Sequence, residues 1–385
     1  MSKTLSAGIA MFAMLFGAGN VVFPLALGKE AGSTVGWAVA GFCLTAVLVP
    51  LLGLISTALY EGDYRKFLGR VGAVPAVIIT AVCMILIGPF GAIPRCVNVA
   101  YGAVKWYFPD FSLFYFSATV TLIVFLFALR QSSVVDLIGR FLGPLKLTLL
   151  LSIIVVGLFW VHGEPFQVEM APTEALLKGI IEGYGTMDLL GTIFFAGLIV
   201  GNLKQALPAE AGYQELALQG LKAGTIGALL LGLVYVGFCL VAAFHGPSVA
   251  DINRYELLNA LAPYILGPHG GMLTNAAVAV SCLVTALALT TVFAGYLQKS
   301  LFRGRVSYLY CLVITTVATA AMSNLGFSKL MMLIVPVVVA CYPALIVLSI
   351  VNIAHRLFGF RYVKIPVFST LFVTLILMFW PLFSA

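Results

Sequence analysis

Long apolar segments separated by short polar ones constrain the fold of this chain more than any other feature. Of its 385 residues, 62% are hydrophobic and 9% are charged, whereas a soluble globular domain carries about 25% charged residues. A soluble fold would expose much of this apolar surface to water, but a lipid bilayer is itself an apolar solvent. The sequence therefore predicts an all-α integral membrane protein.

A membrane-spanning helix needs roughly 20 apolar residues. Eleven segments are predicted spans, and they cover approximately 5–28, 33–58, 72–104, 112–130, 141–162, 175–203, 217–245, 271–298, 306–324, 328–353 and 365–384. The sixth is the least regular, because Glu182, Asp188 and several glycines interrupt it. The first is too long for a cleavable signal peptide and is followed by no small-residue cleavage site, so we expect it to remain as a helix.

The Lys and Arg residues predict which ends of the spans face the cytoplasm, because cytoplasmic loops carry an excess of them. With a cytoplasmic N-terminus, the inner segments hold fifteen of these residues, including Arg130 and Arg140, and the outer segments hold five. We therefore expect a multi-pass protein of the cytoplasmic (inner or plasma) membrane with an external C-terminus. This bias also explains the formal net charge of +7. Since no basic run is long, the expected partner is the lipid bilayer and not a nucleic acid.

The reactive side chains do not form the clusters that an enzyme or a metal site would need. Seven cysteines lie scattered in apolar segments without a Cys-x-x-Cys pair, so neither a disulfide framework nor a zinc site is predicted. The four histidines lie at span ends or in loops, and no His-Glu-x-x-His motif occurs. We expect a protein that is not an enzyme and that has no cofactor and no obligate protein partner.

Two longer loops, 163–175 and 246–270, are predicted on the outer side. The second carries an amphipathic stretch from Arg254 to Leu266, which predicts a short outer helix. Two roles stay open for it, either a lid over an extracellular vestibule or a surface helix that gates nothing.

The middle of span one contains a segment that favours unwinding, Gly17-Ala18-Gly19-Asn20, with Pro24 close behind. Gly lowers helix stability by about 1 kcal/mol relative to Ala. In lipid, an unwound backbone is tolerated only where it is buried or lines a cavity. Glycines can also serve close helix packing, but packing does not explain Asn20 at mid-membrane depth. We therefore predict a broken helix that lines a site.

Span six carries a matching interruption, Gly183-Tyr184-Gly185-Thr186-Met187-Asp188. An ionised carboxylate deep in the bilayer costs roughly 3 kcal/mol or more unless it is paired, so Asp188 is a candidate functional residue, with a structural ion pair or a protonated acid as the alternative. Two Gly-interrupted segments at corresponding positions indicate an inverted-repeat transporter with its site at the midplane. The predicted units are a first five-span repeat at 1–162, an inverted five-span repeat at 175–353 and an additional helix at 365–385.

Four motifs give the chain a resemblance to a known family. They are Gly17-Ala-Gly-Asn-x-x-Phe-Pro24, Gly88-Pro-Phe-Gly-Ala-Ile-Pro-Arg95, Gly183-Tyr-Gly-Thr-Met-Asp188 and Tyr342-Pro343. Together they resemble branched-chain amino acid carrier proteins of the leucine/isoleucine/valine:cation symporter family, within the amino acid–polyamine–organocation superfamily. The resemblance implies a leucine-transporter-type fold of five-plus-five inverted repeats with discontinuous helices one and six. It also implies uptake of Leu, Ile and Val by symport with Na⁺ or H⁺.

In that fold the two breaks hold the substrate. The implied substrate-binding residues are Gly17, Ala18, Gly19, Asn20, Tyr184, Gly185, Thr186 and Asp188. We expect the substrate carboxylate to meet backbone N–H groups near Gly19 and Asn20, and the ammonium to meet carbonyls of the second break. The branched side chain is expected in an apolar pocket of spans three, six and eight that includes Tyr184 and Phe195.

The same fold implies a Na⁺ site where span one meets span eight. Na⁺ is a hard cation that takes oxygen ligands, and the candidates are the carbonyls of Ala13 and Phe16 and the hydroxyls of Ser281 and Thr285. Two departures from the family pattern matter. Val284 stands where a second hydroxyl beside Thr285 is expected, which leaves H⁺ coupling through Asp188 open. In addition, the family usually shows twelve spans, and eleven are found.

Arg95 is predicted in the outer half of span three. Three functional roles stay open for it, which are neutralising an acid, closing an outer gate and meeting the substrate carboxylate. Snorkelling of its guanidinium to the outer interface is the structural alternative.

Other transport functions stay open as well. The main alternative is a carrier or exchanger for another small neutral amino acid without cation coupling. A channel fits less well, because broken helices at corresponding positions of two repeats are typical of carriers.

Overall fold

A computed structural model describes residues 3–129, 143–161, 164–204 and 213–383. Over these residues the chain is helical and forms no strand. Arg130 and Arg140, two of the residues counted on the cytoplasmic side, lie outside the described residues, as do the predicted unit ends at positions 162 and 385.

The helices follow one another along the chain with short connections. The first nine are α1 (Lys3–Leu15), α2 (Gly19–Ala31), α3 (Val35–Cys43), α4 (Val49–Ala58), α5 (Tyr64–Leu68), α6 (Ala73–Ile87), α7 (Ala92–Lys105), α8 (Leu113–Ala128) and α9 (Gly143–Phe159). The later ones are α10 (Pro172–Gly185), α11 (Asp188–Lys204), α12 (Tyr213–His245), α13 (Leu257–Tyr296), α14 (Tyr308–Ser323), α15 (Phe327–Phe358) and α16 (Lys364–Phe383). A π-helical turn, Leu44–Leu48, joins α3 to α4.

Each of the eleven predicted spans is mainly helical where the structure describes it, apart from the breaks given below and a few residues at span ends. Among the described residues, five helical stretches are long and apolar enough to cross a membrane when α6 and α7 are taken together as one, and four shorter apolar helices accompany them. These helices make the chain a multi-pass membrane protein. The number of crossings, the repeat boundaries and the side of each terminus stay predictions.

Within the described residues, three spans are interrupted inside the apolar region. The predicted breaks in spans one and six are confirmed, between α1 and α2 and between α10 and α11. The third break, between α6 and α7 at Gly88–Gly91, was not predicted. Pro89 there has no N–H for a helical hydrogen bond, and a Cβ on Gly91 would overlap the carbonyl of Leu86. Span three is therefore two short helices and not one.

The short helix predicted in the loop 246–270 is also confirmed, while its position on the outer side stays a prediction. It forms the first part of α13, from Leu257 to a sharp kink at Gly267, whose φ of 72° lies in the left-handed region. Glycine adopts this conformation at no steric cost. The kink separates the outer segment from the membrane-spanning part of α13, and a gating role for that segment stays a prediction.

Close helix contacts hold the two predicted breaks near one another. A Cβ on Gly28 of α2 would overlap the backbone of Cys239 in α12, and a Cβ on Gly179 of α10 would overlap the backbone of Ala38 in α3. Small residues allow this approach of helix backbones in membranes. The half-helix after the first break, α2, thus packs closely against α12, and the half-helix before the second break, α10, packs closely against α3.

Candidate functional site

The first break comprises three residues between α1 and α2, and its glycines provide space. Neither Gly17 nor Gly19 has a positive φ. A Cβ on Gly19 would lie 2.7 Å from Nη2 of Arg95, and one on Gly17 would lie 3.2 Å from Cγ2 of Thr285. The N–H of Gly17 donates to Oδ1 of Asn20 at 2.8 Å. The side chain of Asn20 thus accepts a hydrogen bond from a backbone N–H of the break, and the guanidinium of Arg95 occupies the space beside Gly19.

The second break turns on a strained residue. Met187, between α10 and α11, is buried and has a φ of 61°, a conformation that costs a residue with a Cβ about 1–2 kcal/mol. Its N–H donates to the carbonyl of Tyr184 at 3.1 Å. The hydroxyl of Thr186 donates to the carbonyl of Gly183 at 2.9 Å. These bonds satisfy backbone groups that the end of α10 leaves free.

A buried polar cluster joins the two breaks to α12. Nδ2 of Asn20 donates to both carboxylate oxygens of Asp188, each at 2.8 Å, and also to the hydroxyl of Tyr235. That hydroxyl donates to Oδ2 of Asp188 at 2.6 Å. The three side chains are at most 2% exposed. Because Oδ1 of Asn20 accepts from Gly17, the orientation of the amide follows from its neighbours. Asp188 thus ties the first break to the second.

Arg95 binds the end of α10 from α7. Its Nη1 donates to the carbonyl of Gly185 at 2.6 Å and its Nη2 to the carbonyl of Thr186 at 3.2 Å. The side chain is 3% exposed, so the snorkelling alternative is wrong. The guanidinium also lies over the ring of Phe23, 5.6 Å from its centroid, in a cation–π contact. Arg95 therefore lies at the junction of the two breaks.

The breaks enclose a central cavity of about 40 Å³, room for no more than a few water molecules. Many of the predicted site residues line it, namely Gly17, Ala18, Asn20, Arg95, Thr186, Asp188 and Thr285. Phe195, which is expected in the apolar pocket for the branched side chain, lines it too. Tyr184 and Gly185 line a different cavity, which we call the outer cavity because the predicted topology places it on the outer side. The structure therefore brings most, but not all, of the predicted substrate residues to one point, and their roles stay predictions.

The outer cavity has a volume of about 360 Å³ and mainly apolar walls from α10 and α15. Arg254 and Glu182 form an ion pair at its edge, with Nη2 and Oε2 2.6 Å apart. The guanidinium of Arg254 lies 5.6 Å from the ring centroid of Phe23, as does that of Arg95. Phe23 thus contacts both arginines and lines the outer cavity.

A wider cavity opens at the opposite end of the protein. Its volume is about 930 Å³, and its polar rim includes Asp63, Arg65 and Lys299, the last two of which are predicted to be cytoplasmic. Phe194 lines this cavity, while the adjacent Phe195 lines the central one. Adjacent residues of α11 therefore line the central cavity and this wider one.

The predicted Na⁺ ligands lie where α1 meets α13. Ala13 packs on Val284, the methyl of Thr285 faces Gly17, and the hydroxyl of Thr285 donates to the carbonyl of Ser281 at 3.1 Å. The carbonyl of Phe16 belongs to the first break. Ala13 and Thr285 thus lie where the two helices meet, while coordination of Na⁺ by the four candidate residues stays a prediction.

Sequence reasoning missed two tyrosines. Tyr235 contacts Asp188, and the hydroxyl of Tyr342 accepts from the N–H of Leu189 at 3.0 Å while its ring lies 4.9 Å from that of Tyr184. Tyr342 was noted as part of a motif without a role. A phenol in the middle of an apolar span was a usable signal in both cases, because a buried hydroxyl needs a partner.

Comparison with known proteins gives consistent matches across the chain. The sequence profile of the family described as "Branched-chain amino acid transport protein" matches residues 1–382. The branched-chain amino acid permease BraB of Bacillus subtilis is 33% identical over 372 residues, which cover 94% of this chain and 82% of that protein.

Solved structures share the fold. The inward facing conformation of Mhp1 superposes with a TM-score of 0.67 at 14% identity, over 99% of this chain and 91% of that one. MhsT in complex with L-phenylalanine superposes with a TM-score of 0.62 at 13% identity, over 97% of this chain and 98% of that one. This likeness confirms a leucine-transporter-type helical fold, while the number of helices and the inverted repeat stay predictions.

Proposed function

The chain belongs to the family of branched-chain amino acid transport proteins, and from this premise we propose that it imports Leu, Ile and Val across the cytoplasmic membrane by symport with Na⁺ or H⁺. Like the other members of its family, it is a transporter and not an enzyme. The observation that carries the proposal is the polar cluster of Asn20, Asp188 and Tyr235, which lies between two helix breaks beside a buried arginine.

The ends of the half-helices offer both polar subsites that an amino acid needs. α2 begins at Gly19, so its first N–H groups and the positive end of its dipole face the centre, which favours a carboxylate. α10 ends at Gly185, so its last carbonyls and the negative end of its dipole face the centre, which favours an ammonium. The substrate's two charged groups would bind between these ends.

The remaining wall of the central cavity is apolar, and therefore suits a branched aliphatic side chain. It is made by Met14, Leu15, Ile87, Ala92, Leu289 and Phe195. Such a pocket separates substrates that differ by one methylene by only about 10–200-fold. Overlapping transport of Leu, Ile and Val follows.

Transport requires the closed centre to open. A volume of about 40 Å³ is well below the roughly 300–1,000 Å³ of ordinary ligand pockets. The wide cavity beside Phe194 and the narrower one beyond Phe23 supply two opposite routes. We propose that the units 1–162 and 175–353 are inverted repeats that rock about the centre, with 365–385 as an added helix and the N-terminus in the cytoplasm.

Two groups are available for coupling. The oxygens of Ala13, Phe16, Ser281 and Thr285 would bind Na⁺, which would order the first break and so favour substrate binding. Alternatively, Asp188 would take up H⁺, which would weaken its bonds with Asn20 and Tyr235. Both routes act on the same cluster, so the coupling ion must be measured.

The test is uptake of radiolabelled leucine into proteoliposomes under an inward Na⁺ gradient or an inward H⁺ gradient, with Ile and Val as competitors. We expect accumulation under one gradient and competition by both amino acids. Glu30→Gln is the control for losses caused by mutation, purification and reconstitution alone, because Glu30 belongs to a partly exposed ion pair with Lys178. Leucine exchange without accumulation under either gradient would contradict symport and favour an uncoupled exchanger.

A further inference from the structure

Arg95 occupies the position in which the proposed function places the substrate's ammonium. Its guanidinium donates to the carbonyls of Gly185 and Thr186 at 2.6 and 3.2 Å. These carbonyls stand at the C-terminal end of α10, where the helix dipole favours a cation. A substrate ammonium and this guanidinium therefore compete for the same acceptors.

The guanidinium also touches the subsite expected for the carboxylate. Its Nη2 and Cζ lie 2.7 and 2.9 Å from the position that a Cβ on Gly19 would take, at the start of α2. Its buried Nε has no hydrogen-bond partner among the described residues. An anion at the first break would thus be close to the guanidinium of Arg95, whose Nε is a donor that lacks a partner.

We propose that Arg95 is an internal placeholder that makes the site specific for zwitterions. Without substrate, its guanidinium holds the carbonyls of Gly185 and Thr186. When substrate binds, the ammonium takes those carbonyls, and the guanidinium moves toward Gly19 and pairs with the substrate's carboxylate. This inference rests on the proposed function and adds a specificity-determining residue to it.

Only a ligand with both an ammonium and a carboxylate supplies a new partner for the carbonyls of the second break and for the displaced guanidinium. An amine without a carboxylate would displace the guanidinium from its carbonyls and bring no anion to pair with it, while Asp188 already accepts from Asn20 and Tyr235. An acid without an amine would draw the guanidinium away and leave two buried carbonyls without donors. Movement of the guanidinium would also enlarge the cavity of about 40 Å³ that it lines.

The experiment measures ligand binding to the purified protein by calorimetry, with leucine, 3-methylbutylamine and 4-methylpentanoate. The last two are leucine without its carboxylate and leucine without its amine. For the wild type we expect leucine to bind at least roughly 30-fold more tightly than either analogue. For Arg95→Ala we expect binding of the amine to improve roughly tenfold or more, and binding of leucine to weaken.

Arg95→Lys is the conservative variant, and it should again reject the amine because it restores a cation at the carbonyls. Added guanidinium ion should compete with the amine in Arg95→Ala. If Arg95→Ala does not fold, Arg95→Gln replaces it as the neutral variant. If neither folds, the wild type decides, because binding of 3-methylbutylamine within about tenfold of leucine would overturn the proposal.

The result separates this inference from the proposed function. A folded Arg95→Ala that binds the amine no better than the wild type overturns the placeholder, even where leucine binds and is transported. Gain of amine binding in Arg95→Ala together with a wild type that binds no branched-chain amino acid supports the placeholder and contradicts the proposed substrate.

Discussion

The two helix breaks meet at one cavity but are built in different ways. The first lies between α1 and α2, has no residue at positive φ, and uses glycines to admit Arg95 and Thr285. The second turns on the left-handed Met187 and is held by hydrogen bonds of its own backbone. The first break is thus defined by the space that it leaves, and the second by the conformation of its backbone.

The two breaks also carry different chemistry. The first contributes a neutral amide, Asn20, and the second contributes the acid Asp188, which accepts from Asn20 and from Tyr235. Asp188 and Gly17 already bond to the Asn20 amide, so only its remaining hydrogen-bonding capacity is available to a ligand. We infer that the second break organises the first, and the predictions below test this order of dependence.

The largest effect is expected from Asp188→Asn. The variant would turn one carboxylate oxygen into an NH₂ group, which would meet the donors of Asn20 or Tyr235 and leave buried donors without acceptors. We expect initial leucine uptake in proteoliposomes to fall by at least about 30-fold.

Glu256→Gln is the control for loss of an acid, because Glu256 faces Lys105 at 3.6 Å in a partly exposed pair outside the site. Its uptake should stay near that of the wild type. Full uptake by a folded Asp188→Asn would show that the first break does not depend on the second.

The sequence was sufficient to predict where the helices break, and insufficient to predict how. Gly17, Gly19 and Asn20, and the glycines around Tyr184, mark both breaks correctly. Their conformations depend on neighbours from distant parts of the chain, such as the Arg95 side chain beside Gly19. The unwinding that we attributed to the backbone freedom of glycine is instead a matter of close approach.

Partners across helices were hidden for the same reason. The contact of Asp188 with Tyr235 depends on the rotation of α12 about its axis, which an apolar segment does not specify. The break at Pro89 carried a local signal, because proline cannot continue the helical hydrogen bonds. It was overlooked because span three is apolar on both sides of it.

Tyr235→Phe tests the acid of the second break without changing its charge. The variant removes the hydroxyl that donates to Oδ2 of Asp188 at 2.6 Å, a bond to a charged group that is worth about 1.5–3 kcal/mol. We expect leucine uptake to fall by roughly tenfold.

Tyr264→Phe is the matched control, because the hydroxyl of Tyr264 is exposed and contacts Ser248 on the outer surface. An equal loss in both variants would mean that Tyr235 acts on general stability and not on Asp188.

Gly185→Ala tests the spatial role of glycine at the second break. A Cβ there would lie 2.5 Å from Cζ of the Phe23 ring, so the ring that contacts Arg95 and Arg254 would have to move. Overpacking of this kind costs about 1–3 kcal/mol, and we expect a lower melting temperature of the purified protein.

Gly17→Ala is the comparison from the first break, where the nearest atom, Cγ2 of Thr285, would lie 3.2 Å away. A shift of a few tenths of an ångström accommodates it, so its melting temperature should fall less. The opposite ranking would mean that the first break is the more tightly packed of the two.

The smallest effect is expected from Tyr342→Phe, which weakens the second break alone. The hydroxyl of Tyr342 accepts from the N–H of Leu189 at the start of α11, where a helix leaves its first N–H groups without partners. Its loss costs about 0.5–1.5 kcal/mol, which corresponds to a fall in uptake of about two- to tenfold at most, while competition by Ile and Val stays unchanged. The ring still contacts that of Tyr184 at a tilt of 38°, so the apolar contact is kept. If Tyr342→Phe instead altered the ranking of Leu, Ile and Val, the phenol would belong to the substrate pocket and the second break would do more than position Asp188.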